Sequence, residues 1–102
     1  MKNDKLLGAV SMCRRAGKLT VGFDATVKAV TKGAELVITA SDAADRTLRN
    51  IEYSCADMVE IVSVPRTQDE IEQATGRKFA VAAVCDKNFA RLIKLNIEEA
   101  NI

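Results

Sequence analysis

Four short apolar runs, each set between two segments of helical period, constrain the fold of this chain more than any other feature. The clearest is "ELVITA" (35–40), apolar and β-branched at consecutive positions, which suits a strand buried on both faces. "KLTV", ending at Gly22, "MVEIVSV" (58–64), closed by Pro65, and "FAVAAVCD" (79–86) are the other three. Residues 3–15 precede the first run with Leu6, Leu7, Val10 and Cys13 at helical spacing. Asn3 or Asp4 can cap that helix, Arg14 and Arg15 suit its last turn, and Gly17 supplies a stop. "FDATVKAVTK" (23–32) predicts a second helix with Phe23, Val27 and Val30 inward and Gly33 past its end. Asp42 to Asp45 read as a turn and cap leading into a third helix, 45–57, with Leu48, Ile51 and Cys55 inward. "TQDEIEQATG" (67–76) carries a Thr67–Glu70 capping box and a terminal Gly76. The last helix, 88–100, points Phe89, Leu92, Ile93 and either Leu95 or Ile97 inward.

This order, α-β-α-β-α-β-α-β-α without linker or repeat, predicts a three-layer α/β/α sandwich on a four-stranded mixed, largely parallel sheet. A chain of 102 residues is expected to form it as one domain, 1–102. In a parallel arrangement, the loops after the first and fourth helices would lie at the same end of the sheet.

Several chemistries are excluded by residue type. The chain has no histidine and three scattered cysteines (Cys13, Cys55, Cys85) without a CxxC pair. Histidine acid–base chemistry, common zinc sites and a disulfide framework are therefore not expected, and the thiols read as reduced and mostly buried. "AGKLT" is not a phosphate loop, since that motif needs glycine and Ser/Thr where Met12 and Leu19 stand. Asp42 and Asp45 read as caps, not a catalytic dyad, and no nucleophile has a visible base. The expectation is a non-enzyme with no cofactor and no metal. No apolar run approaches the ~20 residues of a membrane span, and the N-terminal run is too short for a signal peptide, so no membrane partner and a cytoplasmic location are expected.

Charge is informative by its distribution. Net charge is only +1, yet residues 1–33 hold seven basic against two acidic residues, while residues 51–102 hold six basic against nine acidic. The start of the second helix offers free N–H groups at Gly22, Phe23 and Asp24, with Lys28 and Lys32 following on one face. Arg14, Arg15 and Lys18 lie near the first helix end, and Gly76, Arg77, Lys78, Phe79 and Ala80 form a second glycine-led loop. Together these would make a groove that holds phosphates, with an apolar tip at Phe79 covering an unstacked base. Ordinary solubilising charge is the other reading of the same residues.

The stretch "GKLTVGFDATVKAVTKGAELVITASDA" resembles the core signature of the kink-turn RNA-binding ribosomal protein superfamily, and "GRKFAVAAVCDKNFARLI" is most similar to its bacterial YlxQ-type members. The resemblance covers nearly the whole chain and implies the same α/β/α sandwich. It also implies that the second helix enters a kink-turn to read sheared G·A pairs while a hydrophobic loop covers the extruded base. Gly22 and Lys28 match the pattern, Lys32 falls where a basic residue is usual, and Gly76 matches the capping-loop glycine, followed by Arg77, Lys78, Phe79 and Ala80. Two positions depart from it: the usual Asn is Asp24, which only accepts hydrogen bonds, and the usual Glu is Ala25. The implied roles are an amide site at Gly22 and Phe23, guanine reading by Asp24, electrostatic positioning by Lys28 and Lys32, and cover by residues 77–80. The sequence thus points to a monomeric, non-catalytic binder of structured RNA in the bacterial cytoplasm, partnered with ribosomal RNA, the ribosome or translation factors. The alternative is a protein-interaction module on the same scaffold.

Overall fold

Alternating periods become nine elements in the computed structural model, which describes residues 4–100. They are α1 (Lys5–Arg15), β1 (Leu19–Val21), α2 (Phe23–Thr31), β2 (Leu36–Ala40), α3 (Asp45–Cys55), β3 (Ile61–Val64), α4 (Gln68–Thr75), β4 (Val81–Val84) and α5 (Lys87–Ala100). Asp4 caps α1, accepting from the Leu7 amide at 3.0 Å; Asn3, the other cap candidate, lies outside the described residues. The Thr67–Glu70 capping box forms as expected, and Gly76 ends α4 in the left-handed conformation. Two strands are clearly shorter than their apolar patterns: β4 covers only Val81–Val84, and β3 begins at Ile61. Met58 and Val59 do not extend β3, because both amides turn back to the Cys55 carbonyl and close α3.

The sheet order is β1-β4-β2-β3. It is mixed, as expected, but the expected predominance of parallel pairing is corrected: β2–β3 is parallel, whereas β4 is antiparallel to both β1 and β2. The reason lies in α4 and the loop behind it. A parallel crossover must carry the chain back the full length of a strand. Here residues 76–80 return alongside α4, so that Lys78 meets Asp69 in that helix's first turn at 2.9 Å. β4 therefore enters the sheet at the end where β3 left it.

Strand alternation splits the core between two layers of helices. Leu36, Ile38, Ala82 and Val84 face α1, α4 and α5, meeting Leu6, Val10, Ile71 and Ile93. Val37 and Val81 face α2 and α3, meeting Val30, Ile51 and Cys55. Leu36, Val37 and Ile38 are all 0% exposed, and burial of side chains of this size is worth about 1.5–3 kcal/mol each. In α5 the inward residue is Ile97; Leu95 is 51% exposed.

The α1 cap is tied to the far side of the sheet. Arg66 donates from Nε to Asp4 Oδ2 at 2.8 Å and from Nη1 to the Pro65 carbonyl, while its own carbonyl accepts from Ser41. Burial alone would raise the Asp4 carboxyl, but hydrogen bonds from Arg66 and Leu7 outweigh it and hold it below the usual aspartate value. A lowered folded pKa means the contribution is complete above the unfolded value of about 3.9 and disappears as pH falls through the folded one. Asp4→Asn should keep the cap, lose the charge, and cost about 0.5–1 kcal/mol at pH 7. Urea unfolding at a series of pH values should show the two proteins converging in acid; a gap that does not narrow as pH falls below about 3.9 would contradict this account.

Among the described residues, one buried side-chain polar group is unsatisfied. The Thr26 hydroxyl, on α2, is fully buried without a hydrogen-bond partner. Such a group costs about 1–3 kcal/mol. Thr26→Val is expected to raise stability by about 1 kcal/mol, read as a higher urea midpoint at unchanged slope.

Candidate nucleic-acid interface

α2 begins on Gly22, whose φ of +100° is open to glycine and strained for other residues. That conformation lets the Gly22 amide continue the β1–β4 ladder, donating to the Val81 carbonyl at 3.0 Å, while its carbonyl accepts the first helical bond from Thr26. The expectation that the Gly22 amide is free is therefore corrected: it is used by the sheet. The amides of Phe23, Asp24 and Ala25 are the ones a helix start leaves over. No side chain caps them. Asp24 sits in this first turn and is exposed, as are Lys28 and Lys32 on the same face.

The start of α2 meets the end of the 76–80 loop. Val81 bonds Gly22, and the Ala80 carbonyl accepts from the Ala40 amide at 2.9 Å. From Ala80 the loop runs back to Gly76, where the Arg14 guanidinium lies 3.9 Å from the place a Cβ would take. Thr75 braces the loop, donating its hydroxyl to Ile71 and accepting from the Arg77 amide. Gly22, Phe23, Asp24 and Ala80 thus lie together at this joint, while Gly76 and Arg14 meet at the other end of the loop, with Arg77 and Lys78 between.

Three expected members stand elsewhere. Because β1 and β4 are antiparallel, the loops after α1 and α4 lie at opposite ends of the sheet, not at the same end. Lys18 bonds Cys13 and Cys85 through its backbone at the far end of β1, about 13 Å along the strand from Gly22. Arg15 turns toward Met12, Leu92 and Leu95, between α1 and α5 on the opposite helical layer. Lys32 closes the C-terminal end of α2, about 15 Å along the helix from Gly22. Lys28 lies between.

Phe79 is a further correction. It is 4% exposed and packed in the core with α1, α4 and α5, so it anchors the loop from inside and offers no apolar tip. Lys78 is exposed but engaged: Asp69 bonds it and, with Glu72 and Asp42, holds its ammonium above the ordinary lysine value. Of the other residues of this loop, Arg77 is exposed and Ala80 half-buried.

Asp42 also has an unexpected role. Its carboxylate accepts from the Gln68 amide at 2.9 Å, adding a second acceptor to the start of α4. The N-cap of its own helix, α3, is Ala44, with no side-chain cap. Both helix starts on the α2–α3 layer are thus uncapped by side chains, whereas α1, α4 and α5 have Asp4, Thr67 and Asp86. Cap patterns along the sequence could not assign Asp42, because its partner is 26 residues away.

The cysteine expectation holds for two residues. Cys13 and Cys55 are buried, and burial pushes the Cys13 thiol up to about 12; Cys85 is exposed, contrary to the buried reading. Gly22→Ala should be felt through the backbone alone, since a Cβ there meets nothing within 4 Å. The expected loss is about 1–3 kcal/mol, and a thermal or urea midpoint equal to wild type would remove the strain argument for this joint.

Residues 4–95 match the family described as "Ribosomal protein L7Ae/L30e/S12e/Gadd45 family". No curated protein matches the sequence. Among solved structures, a protein of unknown function from Bacillus halodurans C is similar with a TM-score of 0.86 and 28% identity over 94% of this chain and 99% of its own. A Giardia lamblia 15.5kD RNA binding protein shares the fold with a TM-score of 0.69 and 21% identity, over 99% and 92% of the two chains. With the helix–strand order, the glycine-started α2 and the 76–80 loop all falling within the matched span, the chain belongs to the ribosomal protein L7Ae/L30e/S12e/Gadd45 family.

Proposed function

We propose that the protein binds structured RNA without catalysing a reaction, that its target is a kink-turn or a similarly bent or looped helix, and that it works with ribosomes or translation. One observation carries this reading. The uncapped start of α2, followed on the same face by Lys28, abuts the end of the 76–80 loop through the Gly22–Val81 hydrogen bond. Amide donors and a cation on one element, beside a loop on another, can hold a phosphate or base edge and the nucleotide next to it. Family membership and the RNA-binding name of the Giardia neighbour support the same direction.

Asp24 and Ala25 shape what this site can read. Asp24 can accept from a guanine N–H but cannot donate to a base acceptor or phosphate. Ala25 offers no polar atom. Recognition would then lean on backbone amides and lysines, which makes affinity strongly dependent on salt.

The test is binding to a kink-turn RNA and to the same RNA with its sheared G·A pairs replaced by Watson–Crick pairs, each at two salt concentrations. Preference for the kinked form is expected. Lys28→Ala with Lys32→Ala should lower affinity and reduce the slope of log affinity against log salt by about 2, roughly one for each phosphate no longer neutralised. An unchanged affinity and slope would falsify the role given to these lysines. Absence of RNA binding, with a protein partner retained after nuclease treatment, would favour an interaction module instead.

A further inference from the structure

The helix layer on the other side of the sheet from α2 carries an open face of its own. α1 and α5 run antiparallel there: Asp4 and Lys5 at the start of α1 lie beside Asn96 and Glu99 at the end of α5. A groove of about 520 Å³ runs between the two helices, with Gly8, Ala9, Met12, Leu92 and Leu95 along its length. Met12 is 44% and Leu95 51% exposed, although both side chains are large and apolar. Gly8 is an exposed helical position, and a Cβ added there would meet nothing within 4 Å. Glycine in a helix interior costs stability relative to alanine, and packing within this chain gives no reason for it. Lys5 and Glu99 flank one end of the groove and Arg15 the other, about 15 Å away along α1. Among the described residues none of the three takes part in an ion pair.

Two apolar knobs, a hole and both signs of charge on one face make it complementary to itself. A two-fold axis laid along the groove, parallel to the helices, sets α1 of one copy over α5 of the other at the same height. Lys5 then faces the second copy's Glu99, and symmetry forms the same pair again. The second copy's Leu95 stands over Gly8, and Met12 sits between the second copy's Leu92 and Leu95. Arg15 faces the second copy's Asn88, which is exposed and uncharged. We infer that this face is the contact between two copies of the chain, which pack α1 and α5 as a four-helix layer. A foreign helix would also find the apolar strip. One cation and one anion at the same end of it, on opposite helices, are what a copy of the same face pairs completely. Helices of 11 and 14 residues make a small contact, so the dimer is weak, with a Kd on the order of 10–100 μM. This departs from the monomer expected from the sequence, where Leu95 competed with Ile97 for the core side of α5. The α2 start lies on the other side of the sheet and stays free in the pair, so the inference does not rest on the RNA-binding reading.

Sedimentation equilibrium of the full chain, from about 1 to 500 μM, tests the contact directly. The mass is expected to rise from 11.1 kDa toward twice that value. Met12→Glu with Leu95→Glu should stay monomeric throughout, while the unfolding midpoint of the dilute protein remains near wild type because both side chains are exposed. Gly8→Gln fills the hole without touching the rest of its own chain. It should weaken the dimer about tenfold or more, yet leave the dilute protein at least as stable as wild type, since a glycine has left a helix. Lys5→Glu and Glu99→Lys should each weaken the dimer about fivefold, and the two changes together should return it to within about twofold of wild type. A mass that stays at 11.1 kDa at every concentration would overturn the inference. So would a dimer indifferent to the Gly8, Met12 and Leu95 changes, which must use another face. Loss of the dimer without rescue in the charge-swapped protein would overturn the two-fold arrangement.

Discussion

Two consecutive carbonyls hold the rest of the structure in place. Ala80 accepts from the end of β2 and Val81 from Gly22 at the start of α2, so the entry of β4 is clamped between two elements that are far away in sequence. β4 then runs antiparallel to both neighbours, with Val81, Ala82, Ala83 and Val84 all buried. Its small side chains let helices approach on both faces, and its direction decides which loops share an end of the sheet. The candidate interface follows from that clamp. An α2 start fixed to Val81 is fixed to whatever precedes Val81, which is the 76–80 loop.

Charges sort themselves around the same geometry. In the acidic C-terminal half, Lys78 pairs with Asp69 and Lys94 with Glu60. These pairs are exposed, and each is worth little in stability. Their effect is on the field: they neutralise cations near carboxylates and leave that side without a strong positive potential. Arg14, Lys28 and Lys32 form no ion pair among the described residues. A chain close to neutral can therefore still show a polyanion a local pair of unengaged cations on α2.

Element type and order were legible in the sequence because each follows from a local period: Leu6, Leu7 and Val10 in α1, or the unbroken apolar run 36–40 in β2. Strand direction was not. The helical pattern of α4 is the same whether the chain then crosses the sheet or doubles back, and the doubling back depends on tertiary contacts such as Lys78–Asp69. That one ambiguity accounts for the misplacement of Lys18, whose loop was expected beside residues 76–80. Phe79 and Asp42 were opaque for a related reason. An aromatic residue next to charged residues reads equally well as a loop tip or as an anchor, and an aspartate after a strand reads as a cap for the next helix. Here Phe79 fills the α1–α4–α5 core and Asp42 bonds the start of α4. The α2 face was legible because helical spacing alone places Asp24, Lys28 and Lys32 together.

Asp24 holds two opposing effects in one residue. A carboxylate in the first turn interacts favourably with the helix dipole, worth about 0.3–1 kcal/mol, and so helps an α2 start that no side chain caps. The same charge offsets the positive end of the helix for an incoming phosphate. Lys28, one turn later, restores positive potential on that face, and Ala25 adds no second carboxylate between them. The balance moves the most favourable position for a phosphate away from the helix tip and along α2, toward Lys28 and Lys32. Under the proposed RNA-binding function, such a site would hold RNA by its backbone near Lys28 and leave Asp24 at the tip to accept a single guanine-like donor.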